Sequence, residues 1–315
     1  VRIRALSDVS VRQLRPLLDE ETAHWSSELL WDYADVSAAV ASGLERRGLT
    51  GSVLQYGERP VAYCYYLFDC GRAIVGSLFA SAGFRGRGVE EQLLDGVLAE
   101  AQGHPDNDRI ECQTLFSTAA AADDRFARAG FSSCARHYLV LSLSEALPPA
   151  RRGFRLRPLL RDDIPQAAQV IHASHRGSLD AAFNLTYASP ASCRGFVETL
   201  MLRAGCGQFE SEASFLAEGR DGAVGVLLAT RLSRTNGHVC QVSVLPDWQA
   251  SGLGTALMGA ALEGFHRRGL ATVSLSVTVG NDVAYRLYQR LGFRLHREFA
   301  AHAWVRPPAR IDLPA

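Results

Sequence analysis

The chain reads as a mixed α/β protein in which one architectural plan is written twice. Landmarks of the first half recur in the second, in the same order and at nearly constant separation. GFRLRPLLRDDIPQAAQV echoes the opening VRIRALSDVSVRQLRPLL, QVSVLPDWQASGLGTALM echoes GSLFASAGFRGRGVEEQLL, and LYQRLGF echoes RFARAGF. Ordered repetition of this kind points to duplication rather than to one long domain. Within each copy, β-rich runs alternate with apolar-periodic ones: a strand, helices, an antiparallel set of strands, then strand–helix–strand–helix–strand. The turn-rich stretch Glu145–Gly153, EALPPARRG, separates the copies and sets domains at 1–147 and 153–315. A chain of 315 residues has room for two domains of about 150 each or for one large barrel, and the repeat favours the former.

The second copy gives the clearer element pattern. RLRPL is a strand, and Asp162 or Asp163 with Pro165 marks the start of an apolar helix. SFLAEGRDGAVGVLLATRLS reads as a hairpin turning near Gly219 to Gly222. Val239 to Val244 is the next strand, Gly252 to Arg268 an apolar helix, and ATVSLSV a half-buried strand. An asparagine-led helix from Asn281 to Leu291 follows, and RLHREFAAHAW closes the unit.

Composition excludes several function classes. The 33 basic residues, all arginine, balance 33 acidic ones, so no net field holds nucleic acid or an anionic membrane. Without lysine, no lysine amine serves as nucleophile. The cysteines Cys64, Cys70, Cys112, Cys134, Cys193, Cys206 and Cys240 form no CxxC pair and sit largely in apolar runs. That scatter suits core thiols in a reducing compartment, and no metal site is expected from it. Cys206, between two glycines, is the one to test as a reactive thiol. With no targeting segment and no uncharged run long enough to span a bilayer, the expectation is a soluble cytoplasmic protein.

The stretch Val239–Thr255, VCQVSVLPDWQASGLGT, carries the most chemistry. A β-rich run passes through a proline turn into glycines that open an apolar helix. Such a junction presents unpaired N–H groups, backed by the positive end of the helix dipole, to an anionic ligand. Two glycines there also serve a plain tight turn or close packing, and both readings stand. Asn281 before the last helix has the position of an N-cap. Tyr288 lies two helical turns further on the same face, and a core tyrosine is its simplest role.

With VSVLP, QASGLG from Gln249 to Gly254 and NDVAYRLYQRLGF from Asn281 to Phe293, the sequence resembles the GCN5-related N-acetyltransferase superfamily, two copies in tandem. The resemblance implies a mixed, strongly bent sheet with helices on both faces and acetyl-CoA bound where two parallel strands splay apart. It assigns the backbone of Val242, Ser243 and Val244 to the pantetheine arm and the loop of Gln249, Ala250, Ser251, Gly252, Leu253, Gly254 and Thr255 to the pyrophosphate. It gives Asn281 a second contact to the arm and Tyr288 the role of acid to the departing thiolate. Many members carry a strand glutamate as base; Cys240 and Gln241 stand there instead, and neither is a good base. His238 just upstream reads as a solvent-facing strand end that acts, if at all, through water. His172, His175, Glu210, Glu212, Tyr187 and Arg194 are candidates for the acceptor side.

The first copy departs from this pattern. Glu90 stands where the second has Gly254, Ala119 faces Asn281, and Phe126 faces Tyr288. A carboxylate at the helix start repels the pyrophosphate that needs the same N–H groups. The expected function is therefore acetyl transfer from acetyl-CoA to a primary amine of a small molecule or peptide, performed by the second copy with the first degenerate. The alternatives are a longer acyl donor or a CoA-sensing scaffold. A monomer with internal pseudo-symmetry is preferred to a homodimer. Trp25, Trp31 and Tyr33 among Glu28, Asp32 and Asp35 read either as a surface for a cationic acceptor or as a helix with its aromatics in the core.

Overall fold

The computed structural model describes residues 1–69, 71–119, 122–143, 153–203 and 206–307; Cys70 and the proposed joint up to residue 152 lie outside them. The first run of elements is β1 (Arg2–Ala5), α1 (Val11–Leu29), α2 (Ala34–Glu45), β2 (Thr50–Tyr56), β3 (Arg59–Asp69), β4 (Arg72–Ala80), α3 (Val89–Gly103), β5 (Arg109–Gln113), α4 (Ala122–Arg128) and β6 (Ser132–Ser142). The second is β7 (Arg155–Pro158), α5 (Ile164–His175), α6 (Leu179–Phe183), α7 (Pro190–Leu202), β8 (Gln208–Phe209), β9 (Phe215–Glu218), β10 (Ala223–Arg231), β11 (Asn236–Val244), α8 (Leu253–Arg267), β12 (Thr272–Thr278), α9 (Asp282–Arg290) and β13 (Arg294–Val305).

Local chemistry explains these boundaries. Ser10 and Gln13 form a reciprocal cap at the start of α1, Ser10 Oγ accepting the Gln13 N–H at 3.3 Å and Gln13 Oε1 the Ser10 N–H at 3.0 Å. Pro165 sits in the first turn of α5, where its missing N–H costs nothing. Asp163 does not cap that helix. It accepts two bonds from Arg157, at 2.5 and 2.7 Å, and the Leu160 N–H at 2.8 Å. Between β9 and β10 the hairpin closes where the Gly219 N–H donates to the Gly222 carbonyl at 2.8 Å.

The chain condenses into two compact units. One holds Val1–Ser27, Tyr33–Cys134 and the segment from Phe299 onward; the other holds Glu28–Asp32 and Ala135–Glu298. The first unit's sheet runs β1-β2-β3-β4-β5 and ends on β13, whose Ala301–Val305 pair antiparallel with Gln113–Arg109. The second unit's sheet runs β6-β12-β11-β10-β9-β7, with Arg136–Ser142 of β6 antiparallel to Thr278–Thr272. Each sheet is thus completed by the closing strand of the other sequence half. The compact units and the 1–147/153–315 division are different partitions, because strand pairing ignores the order in which the strands were made.

In the second unit helices cover both sheet faces. Leu257, Ala261 and Phe265 of α8 and Tyr288 of α9 pack with Leu227, Val239, Val273 and Leu275 on one face. Ile164, Ala168 and Ile171 of α5 and Val197 and Leu200 of α7 pack with Leu216, Val226 and Leu228 on the other. Helix α8 lies so close to the Glu212 backbone that a Cβ on Gly264 would meet the Glu212 carbonyl oxygen at 2.1 Å, so only glycine fits.

In the first unit α3 and α4 cover one side of the sheet, packing on Ala62, Cys64 and Tyr66. On the opposite side of β3, Tyr63 reaches the carboxylate of Glu21, a fully buried acid on α1. Glu21 also accepts from Ser77 Oγ, from Trp25 Nε1 at 3.1 Å and from Tyr33 Oη at 3.3 Å. Trp25 and Tyr33 are therefore core residues, while Glu28, Asp32 and Asp35 are exposed. The four hydrogen bonds favour the anion, but burial outweighs them and raises the Glu21 pKa above its ordinary 4.5.

Because the folded state holds this proton more tightly, the group's contribution to stability is complete below pH 4.5 and fades as pH rises through the raised pKa. Glu21→Gln should remove that part of the pH dependence in urea denaturation. Glu21→Ala, which leaves buried donors unpaired, should cost about 3 kcal/mol. An unchanged midpoint in Glu21→Ala would contradict the network's structural role.

Candidate active site

Strands β11 and β12 run parallel from Asn236–Thr272 as far as Val239–Leu275, and there their ladder ends. Beyond that point β11 stays on β10 and β12 stays on β6. The parting coincides with a bulge. Leu228 pairs with Gln241 and Ala229 with Val239, so Cys240 is an extra residue with no partner on β10. The bulge resets the alternation of side chains: Val239, Val242 and Val244 face the α8 side, whereas Cys240 and Gln241 both face the α5 side. Past the split, the inward N–H and C=O groups of Val242 to Val244 meet no β12 partner among the described residues. Half a ladder is left for an extended, amide-bearing ligand.

A cavity of about 80 Å³ opens in this fork, lined by Arg136, His175, Asp180, Tyr187, Gln241 and Tyr288 among others. Gln241 organises its α5 side. Its Oε1 accepts from the Tyr187 hydroxyl at 3.0 Å, and its Nε2 donates to Ser243 Oγ at 2.8 Å and lies 3.4 Å from His175 Nε2. His175 Nδ1 lies 3.0 Å from the Ile171 carbonyl, which makes it the protonated nitrogen and leaves the Nε2 lone pair toward Gln241. The imidazole stacks on Tyr187 at 4.0 Å, and burial lowers its pKa below 6.5, so it is neutral at pH 7. Asp180 accepts from Thr278 Oγ1 at 2.5 Å. Burial raises the pKa of Tyr288, and the Asp180 charge raises it further, so the phenol keeps its proton.

After β11 and its proline turn, the first-turn N–H groups of α8 lie ahead of its hydrogen-bond ladder. Gly252 occupies the N-cap with φ of 95°, and Ala250 turns the chain with φ of 58°. Ser251 Oγ donates to the Trp248 carbonyl at 2.6 Å and accepts the Leu253 N–H at 3.3 Å, while Gln249 Nε2 donates to the Val244 carbonyl at 3.3 Å. A Cβ on Gly254 would meet only Leu287, at an ordinary 3.5 Å. Among the described residues, nothing else crowds a side chain at position 254. Gly254 and Thr255 follow as the second and third residues of the helix. Asn281 caps α9 by accepting the Ala284 N–H at 3.3 Å.

A sequence profile of the acetyltransferase (GNAT) family matches residues 187–293, the segment that contains the fork, the loop and α9. The mycothiol acetyltransferase of Saccharomonospora viridis is 31% identical over 70% of this chain and 70% of its own. This chain belongs to the acetyltransferase (GNAT) family. Two solved structures share the fold. A GCN5-related N-acetyltransferase from Sphaerobacter thermophilus superposes with a TM-score of 0.65 at 18% identity, over 99% of this chain and 98% of that one. A tandem GNAT protein from the clavulanic acid biosynthesis pathway gives 0.61 at 15% identity, over 98% and 100%. Membership implies an acyl-CoA donor and acetyl transfer in general, and the open fork followed by a glycine-led helix start fits such a donor.

The parallel strand pair of the first unit ends differently. There β4 and β5 also pair in parallel, from Arg72–Arg109 to Val75–Cys112. The gap beyond is stitched by the chain itself: Leu78 bridges Ser117, the Thr118 N–H donates to the Leu78 carbonyl at 3.0 Å, and Thr118 Oγ1 accepts the Ala80 N–H at 3.0 Å. The cavity left in that fork is about 10 Å³, the space of a single water. At the helix start, Gly88 keeps the left-handed N-cap with φ of 78°, but Glu90 is buried in the second helical position. Thr118 Oγ1 donates to it at 3.3 Å; burial lifts its pKa, while its own amide and that of Gly86 pull it down.

Several sequence candidates lie elsewhere. Glu210 is buried against Arg268, Glu212 faces the same arginine, and Arg194 is tied to Glu198. None of the three lines the cavity. His172 Nδ1 lies 3.1 Å from the Tyr187 carbonyl and supports that turn. His238, expected at a solvent-facing strand end, is instead buried in the sheet with Nδ1 2.9 Å from Ser274 Oγ. A hydrogen bond with Cys206 and then burial push the Cys240 thiol well up, so it is no base. Sequence reading missed Asp180 and Arg136, since a lone acid in a short helix and an arginine at the end of the first half carry no motif.

Gln241→Glu tests the described contacts. A carboxylate beside His175 Nε2 should raise the imidazole pKa by about one unit in an NMR titration. An unmoved pKa would mean that residue 241 does not face His175.

Proposed function

We propose that this protein is an acetyl-CoA-dependent N-acetyltransferase acting on a primary amine of a small molecule. The carrying observation is the open fork beside Tyr288 and Asp180, one half of a strand ladder facing a protonated phenol and a carboxylate. On this reading the backbone of Val242, Ser243 and Val244 pairs with the pantetheine arm. The pyrophosphate lies on the turn from Gln249 to Thr255, including Ala250, Ser251, Gly252, Leu253 and Gly254, and Asn281 adds a contact near the split. Acetyl-CoA supplies a thioester-activated acetyl group. Asp180 receives the ammonium form of the acceptor and takes its proton through water. The free amine forms the N–C bond as the C–S bond breaks, Tyr288 gives its proton to the leaving thiolate, and the surplus proton on the acylated nitrogen leaves through water and restores the phenol.

Similarity to a mycothiol acetyltransferase over 70% of both chains supports a small-molecule acceptor over a protein one. The division of labour is read as a tandem pair, 1–147 and 153–315, in which the stitched fork and Glu90 leave the first member without a donor site. A cytoplasmic monomer with internal pseudo-symmetry is the accompanying proposal; no described helix is long and apolar enough to cross a membrane.

Thiol release from acetyl-CoA, screened over small amines, tests the activity. In Tyr288→Phe, kcat should fall by about 10²-fold with donor affinity nearly unchanged, whereas an unaltered kcat across pH would reject the acid role. Asp180→Asn should raise the acceptor KM and shift the acid limb of the pH profile, and neither change would remove Asp180 from the mechanism. Gly254→Glu should weaken acetyl-CoA binding by at least about tenfold, and wild-type affinity would move the pyrophosphate elsewhere.

A further inference from the structure

Behind the bulge, three donor side chains that no step above requires come together. A ring nitrogen of His238 and the Sγ atoms of Cys206 and Cys240 all lie within 4.8 Å of one another. The sequence gives no hint of this, because the cysteines are far apart and belong to different elements. The fold joins them in two ways. Cys240 is the extra residue of the β11 bulge and turns to the same side as its strand neighbour His238. Cys206 is delivered by Gly207, whose φ of 75° and approach to the Arg231 carbonyl leave only 2.5 Å for a Cβ, so the loop lies directly on β10.

The imidazole is prepared as a ligand. Ser274 Oγ donates its proton to the Gly237 carbonyl at 3.2 Å and accepts from Asn236 Nδ2 at 3.1 Å. Toward His238 Nδ1, at 2.9 Å, the hydroxyl is therefore an acceptor, and Nδ1 carries the hydrogen. That tautomer makes Nε2 the nitrogen with a lone pair to offer a metal. A hydroxyl that fixes the tautomer of a histidine through its other nitrogen is the usual support for an imidazole ligand. The Tyr138 ring lies beside that of His238, centroids 6.2 Å apart and planes 21° from parallel.

We propose that Cys206, His238 and Cys240 form a Zn²⁺ site that pins the β11 bulge, with water as the fourth ligand. Two soft sulfurs and one imidazole select zinc over magnesium or calcium. Donors around one tetrahedral zinc stand about 3.5 Å apart, so any pair at the 4.8 Å limit would close by about 1 Å. On binding, both thiols release their protons to solvent and the metal is held by two thiolates; no electrons are exchanged. Cys206 and Cys240 are only partly buried, which gives the ion a way in. Since Cys240 also lines the fork, the ion fixes the residue whose insertion parts the two strands.

The test is titration of the reduced, chelator-treated full chain with Co²⁺, then displacement by Zn²⁺, and it needs neither acyl donor nor acceptor. One equivalent of Co²⁺ should produce the near-ultraviolet band of thiolate-to-cobalt charge transfer, and one equivalent of Zn²⁺ should abolish it. Cys206→Ser, at a partly exposed loop position, should lose the band while keeping its circular dichroism, and Cys193→Ser should retain it. A Co²⁺ complex without the thiolate band, or a band unchanged in both Cys206→Ser and Cys240→Ser, would overturn the proposal.

Discussion

The structure of the second unit depends on one interruption: β11 and β12 pair for four residues and then separate at Val239–Leu275. A parallel ladder left unfinished inside a sheet is unfavourable unless something else satisfies its groups, since buried N–H and C=O pairs rarely go without partners. Cys240 makes the interruption possible by adding a residue to β11 without adding one to β10. That extra residue sets which way the side chains of β11 face beyond it. Gln241 and Ser243 swing to the α5 side, where Gln241 holds Tyr187 and His175, and the valines turn to the α8 side.

The first unit shows the same architecture resolved the other way. Its fork is closed by Thr118, whose amide and hydroxyl supply the bonds to Leu78 and Ala80 that an extended ligand would otherwise make. Glu90 then occupies the helix start with a carboxylate of its own. A cavity of about 10 Å³ against one of about 80 Å³ measures the difference. The two forks thus differ in whether the chain itself supplies the bonds beyond the end of the parallel ladder. The strands exchanged at the ends of β6 and β13 mean that each sheet needs both halves of the sequence.

Much of this was legible beforehand. The hairpin at Gly219 to Gly222, the helix opened by Gly252 and the cap at Asn281 follow from local chemistry, and the structure has each of them. The place of Glu90 at the start of an apolar helix was visible too, and the structure has it there. The stitching by Thr118 was not, since it depends on the register of β4 against the loop after β5. The partition of the strands, the burial of His238 and the meeting of Cys206 with Cys240 were hidden for a similar reason. Each is a contact between segments remote in sequence, set by strand order and by a bulge that no residue pattern announces. Asp180 was overlooked because its importance comes from the Thr278 hydroxyl and the two tyrosines around it, not from its neighbours in the chain.

The central claim is that the fork in the second unit, and not its counterpart, receives the acyl donor. Calorimetric titration of acetyl-CoA into the intact protein measures this directly. The account predicts one site per chain; two comparable sites, or no binding by the folded protein, would contradict it.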